Sequence, residues 1–180
     1  MNTKYSITLA TGLTVALAVS ACASMPAAHA ASAGTSASAA YARSLGPAGY
    51  GALKLGMTKK QAEATGLIAG YSTHGPNPVC PIAHLKGAPA GNGIVWFSPK
   101  HDVVAISTYG SIATPQGVRL DITTARLLKI YPSWNPLGTD ANGRGYVKVP
   151  GNAHAEYRIE TEKSKVSSLT LQAGNEDCYE

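Results

Sequence analysis

The chain has 180 residues and a formal net charge of +5, with 44% hydrophobic and 14% charged residues. Its 15 basic residues are scattered among 10 acidic ones, with no basic stripe carrying interleaved aromatics, which excludes a nucleic-acid-binding surface. The length allows a targeting segment and one ordinary domain with a real core.

Lys4 is followed by an uncharged stretch, Tyr5 to Ala21, with Ile7, Leu9, Leu13, Val15, Leu17 and Val19 as its apolar residues. A permanent membrane helix needs ~20 strongly apolar residues, and this stretch is too rich in Ala, Thr and Ser. It reads as a signal peptide over residues 1–21. Val19-Ser20-Ala21-Cys22 closes it and resembles the bacterial lipobox, in which the cysteine carries the lipid. Cys22 is therefore the candidate lipidation site, and a lipid there would anchor the protein to a membrane. Ala28-His29-Ala30, with Pro26 upstream, offers the alternative: cleavage after Ala30 and a secreted protein. Both routes lead out of the cytoplasm. Residues 22–46, with Ala31 to Ala40 drawn almost wholly from Ala and Ser, read as a flexible linker that cannot bury enough apolar area to order itself. Cys80 and Cys178 remain as an even pair in the exported part, where a disulfide persists.

Residues 47–180 read as a single globular domain. Thr58-Lys59-Lys60-Gln61 has the form of a capping box, and Gly66 ends the helix it starts. Ile94–Phe97 and Val103–Tyr109 read as strands joined by a turn at Pro99-Lys100-His101-Asp102. Thr123 caps a second helix whose apolar face is Leu127, Leu128, Ile130 and Tyr131, and Pro132 stops it. Gly145–Val149, Ala155–Glu160 and Val166–Leu171 read as further strands, the last two a hairpin turning at Glu162–Lys165. Leu53-Lys54-Leu55-Gly56-Met57-Thr58 matches Val118-Arg119-Leu120-Asp121-Ile122-Thr123 in pattern. Ser98–Ser107 matches Thr161–Thr170 at nearly the same offset. The expectation is α+β: two pseudo-repeats, about 47–112 and 113–180. Each would be a short helix followed by antiparallel strands, with the helices packed on the sheet.

Gly51-Ala52-Leu53-Lys54-Leu55-Gly56-Met57-Thr58, a short helix with Gln61 and then a meander resemble the small module of the β-lactamase inhibitory proteins. The same pattern is similar to outer-membrane assembly lipoproteins of the BamE/SmpA type and to actinobacterial secreted proteins and lipoproteins of this length. The resemblance implies noncatalytic protein binding.

His74, Cys80 and His84 have a spacing unlike the tight ligand pairs of zinc sites, and Pro76, Pro78 and Pro81 mark a rigid loop. No metal or cofactor is expected. His101 and Asp102, adjacent in a turn, cannot orient as a base and its partner. With no recognisable nucleophile motif, the chain reads as a non-enzyme. Trp134, in the proline-bracketed Tyr131-Pro132-Ser133-Trp134-Asn135-Pro136, is the leading binding candidate, with Tyr71 and Tyr146 as further aromatics and Tyr179 beside them. The expected function is extracytoplasmic binding of a protein or envelope component from a membrane tether. The alternative is a secreted inhibitor of an extracellular enzyme such as a β-lactamase or protease.

Overall fold

A computed structural model describes residues 44–178. The signal segment, Cys22, the linker as far as residue 43, and Tyr179 lie outside the described residues. The folded part begins earlier than residue 47. Leu45 is fully buried, and its carbonyl accepts the Tyr157 hydroxyl at 2.8 Å.

Strands β1 (Leu45–Gly46), β2 (Gly49–Tyr50) and β3 (Leu53–Lys54) form a small antiparallel sheet. Helix α1 (Lys59–Ala64) follows, then β4 (Ile68–Ser72), β5 (Ile82–Leu85), β6 (Ile94–Ser98) and β7 (Asp102–Ser107). Helix α2 (Thr124–Ile130) precedes β8 (Leu137–Gly138), β9 (Gly143–Val149), β10 (Asn152–Glu162) and β11 (Lys165–Ala173). Strands β4 to β11 build one eight-stranded sheet in the order β4-β5-β6-β7-β11-β10-β9-β8, with every pair antiparallel.

The expected α+β arrangement of two pseudo-repeats with helices packed on a sheet is overturned. The fold is mostly β, and its two described helices have six and seven residues. Gly66 and Pro132 stop them soon after their caps, while β-branched and aromatic runs extend the strands. The two halves also differ in build: β4 to β7 run four to six residues, whereas β9, β10 and β11 run seven, eleven and nine.

Local chemistry explains the elements. The Thr58 side chain accepts the Gln61 N–H, and Gln61 Oε1 accepts the Thr58 N–H at 2.9 Å, so the capping box is complete. Thr58→Ala is expected to cost about 1 kcal/mol, read as a lower denaturation midpoint at unchanged slope. Thr123 accepts the Arg126 N–H at 3.3 Å and starts α2 without the reciprocal bond. Lys163 and Ser164, both at positive φ, make the two-residue turn of the β10–β11 hairpin. Edge strand β4 carries a register shift between Ala69 and Ser72 around Gly70, whose φ is +65°. Such a bulge interrupts an edge that would otherwise invite strand addition.

One sheet face holds the main core. Val95, Ile106, Val147, Tyr157, Ile159, Leu169 and Leu171 pack there against Leu45, Leu53, Ala62 and Leu127. The opposite face carries a smaller cluster of Ile82, Trp96, Val104 and Ala105, closed by Cys80 and Cys178. Tyr131 sits in the main core, stacked on Tyr157 at 6.0 Å between centroids. Its hydroxyl donates to Gln116 Oε1 at 2.8 Å and lies 3.2 Å from Thr114 Oγ1.

Burial raises the Tyr131 pKa above its ordinary value of 10.0, and the Thr114 hydrogen bond opposes that shift. The stability this group contributes is therefore complete below about pH 10 and drains away as pH rises toward the folded value. Tyr131→Phe is expected to flatten that part of the alkaline stability loss, measured by denaturant titration from pH 8 to 11.

Candidate functional site

The site is assembled at the pole where α1, β4, the β4–β5 loop and the β6–β7 turn meet. The capping box aims the first turn of α1 at β4. Lys59 Nζ rests 3.8 Å from the centroid of the Tyr71 ring, and Glu63, one turn on, lies 3.8 Å from the same ammonium. Tyr71 meets Phe97 of β6 edge-on, with centroids 5.5 Å apart at 66°. This offset geometry suits the ring quadrupoles.

The loop between β4 and β5 is fixed twice. Cys80 is bonded to Cys178 across a sequence separation of 98. Asn77 Nδ2 donates to the Cys178 carbonyl at 3.1 Å, and Asn77 Oδ1 accepts the Val79 N–H at 3.0 Å. Val79 is thus held in place while 65% exposed. On the far side, Ser98 Oγ accepts the N–H groups of Lys100 and His101 at 3.0 and 3.2 Å, which shapes the turn after Pro99. Together Lys59, Tyr71, Val79, Pro81, Phe97, Ser98, Pro99 and Asp102 line an open cleft of about 250 Å³. It has aromatic and aliphatic walls, one ammonium and one carboxylate. Its chemistry suits holding an apolar side chain, and the Ser98 hydroxyl is occupied in shaping the turn.

Two other hollows are built differently. Asp121, Glu162, Lys163 and Lys165 line one of about 280 Å³. Lys148, His154 and Asn175 line one of about 610 Å³. Both are ringed by solvated polar side chains, with no aromatic wall.

The structure separates the three aromatics singled out in the sequence. Tyr71 lies in β4, half-buried, on the cleft. Tyr146 lies in β9, half-buried, in a cross-strand row with Arg158 and Thr170. Five strands lie between β4 and β9, a span of roughly 29 Å at the usual spacing. Trp134 is the correction. It is 2% exposed in the main core, and its Nε1 donates to the Ile159 carbonyl at 3.4 Å. Gly145 makes the room: a Cβ there would come within 2.6 Å of Trp134 Nε1. The exposed large hydrophobic just after that segment is Leu137, 75% exposed, which sequence reasoning missed, as it did Val79, Lys59 and Phe97.

His74, Cys80 and His84 form no ligand set. The Cys80 sulfur is in the disulfide, and His84 Nδ1 faces the Asn92 carbonyl at 3.2 Å. Among the described residues, Cys80, Asp177 and Cys178 do bring ligand atoms together, but a sulfur bonded to sulfur has no thiolate to offer a metal. Near Tyr146, Glu160 bridges Arg144 at 3.3 Å and Arg158 at 2.7 Å, and Lys148 meets Glu156 at 3.1 Å. The Arg144–Glu160 and Lys148–Glu156 pairs tie β9 to β10, and Arg158–Glu160 lies within β10.

Comparison with protein-family models, curated proteins and solved structures finds no match for this chain. The closed disulfide fits a protein outside the cytoplasm. Among the described residues no helix is long and apolar enough to cross a membrane.

Proposed function

We propose that this chain is a noncatalytic binding protein outside the cytoplasm, tethered by lipid on Cys22, that recognises a protein or envelope component through the disulfide-pole cleft. One observation carries the reading: exposed Val79 lines an aromatic cleft on a loop whose backbone is held by a disulfide and an asparagine clamp. A loop already locked in one conformation forfeits little entropy on binding. Apolar and aromatic anchors at a pocket are where interface energy concentrates. The lipid would raise the effective concentration of the domain at a membrane face.

The test is site-specific photo-crosslinking in the native host, with the photoreactive residue at position 79 or, as a control, at the exposed position 126 of α2. A discrete adduct from position 79, diminished by Tyr71→Ala and absent from position 126, is the expected result. Equal labelling from both positions, or none from 79, would overturn the cleft as a binding site.

A further inference from the structure

We infer that the cleft takes a protein segment carrying a lysine or arginine beside an apolar side chain, with Asp102 receiving the cation; the inference rests on the cleft being a binding site. Lys59 and Asp102 both line the cleft, but their charges stand differently. Lys59 is already engaged: its ammonium lies 3.8 Å from the Tyr71 ring centroid and 3.8 Å from a Glu63 carboxylate oxygen. Asp102 is half-buried, and among the described residues its carboxylate enters no ion pair and no hydrogen bond. Lys100, in the same turn, reaches Asp177 at 4.0 Å instead. Asp121 and Asp140 also lack an ion pair, but both are exposed, where water solvates them. A carboxylate partly withdrawn from water and left without a partner has lost hydration with nothing in return. A cation brought by the occupant restores it.

The backbone points the same way. Asp102 has a φ of +60°, a conformation that glycine adopts freely and a residue with a Cβ adopts at a cost. The surroundings hold it there. Asp102 is paired opposite Ser98, the Val103 N–H donates to the Met57 carbonyl at 3.0 Å, and the Val103 carbonyl accepts the Gly56 N–H at 2.8 Å. The Asp102 side chain gives the turn no hydrogen bond to offset that cost. An unfavourable conformation kept at a cleft wall without local gain marks a functional position.

The occupant is therefore apolar at one residue and cationic at the next. Its apolar side chain meets Tyr71, Val79 and Phe97, and its ammonium or guanidinium meets Asp102. A carboxylate in the cation's place would face Asp102 with Lys59 already engaged, so acidic segments are rejected.

The test is selection from a random dodecapeptide library against the disulfide-closed mature protein carrying Cys22→Ser, with Val79→Ser as the subtracting control. Peptides retained by the wild-type cleft and lost with Val79→Ser should be enriched in Lys or Arg next to an apolar residue. For one such peptide, Asp102→Asn should weaken binding about ten-fold, the worth of a hydrogen-bonded charge. Changing the peptide's cation to glutamine should cost the same against the wild type and nothing further against Asp102→Asn. Asp102→Gly should lose the cation preference while keeping the wild-type denaturation midpoint or exceeding it.

Cleft-dependent peptides without a cation preference, or with one that survives Asp102→Asn, would overturn the inference and leave the cleft standing as a binding site. A lower midpoint for Asp102→Gly would give the carboxylate a structural role and also overturn it. If no selected peptide depends on Val79 and position 79 cross-links nothing, both readings fail.

Discussion

Cys178→Ser is expected to lower the free energy of unfolding by about 4 kcal/mol. The bond joins residues 98 apart, and closing a loop of that length restricts the unfolded chain by about 4.7 kcal/mol in the chain-entropy account, with 2–5 kcal/mol the usual measured cost. The native state loses packing as well. The bond pins the chain after β11 over the Ile82, Trp96, Val104 and Ala105 cluster. Without it, the Asn77 bond to the Cys178 carbonyl is the main tie left at that point. Two readouts check this. The denaturant midpoint should fall by the same amount for Cys178→Ser, Cys80→Ser and the double variant, because one lost sulfur already opens the bridge. Trp96 emission should shift to the red as its cover loosens. A change below about 1 kcal/mol would mean that the tail is held mainly by other contacts.

Trp134→Ala is expected to cost about 3–5 kcal/mol, the range for removing a large aromatic from a packed core. The side chain is 2% exposed and packs over Gly145, and its loss orphans a hydrogen bond to the Ile159 carbonyl. Trp134→Phe should recover much of the packing and leave the hydrogen bond missing, for a smaller loss of about 1–2 kcal/mol. The folded fraction of Trp134→Ala should keep its position-79 cross-link. A variant with wild-type stability and no cross-link would return Trp134 to the role of surface anchor.

These two residues also mark where sequence reasoning succeeds and stops. Cys80 and Cys178 were legible as a pair because an exported chain leaves few alternatives for two cysteines. Thr58 with Gln61, and the turns at 99–102 and 162–165, were legible because caps and hairpin turns are written in neighbouring residues. Trp134 was not, because its burial depends on a nonlocal vacancy: Gly145, on β9, leaves the space its indole fills. A proline-bracketed aromatic looks the same whether such a space exists or not.

The α+β expectation failed for a related reason. A cap announces where a helix starts but says nothing of how far it runs or how much sheet it covers. The strands it overlooked, β1 to β3, β4, β5 and β8, have five residues or fewer, too short for alternation to register. The cleft inherits that difficulty. Lys59, Tyr71, Val79 and Phe97 come from a helix, a strand, a loop and another strand, and only the sheet order makes them neighbours.

The most direct test of an exported, stapled and tethered domain is the intact mass of the processed protein from its native host, before and after reduction. The account predicts a chain that begins at Cys22 with its lipid and gains two hydrogens on reduction. A chain beginning at Ala31 without lipid would keep the staple, remove the tether and favour the secreted inhibitor. A mass beginning at Met1 with both thiols already free would contradict the account.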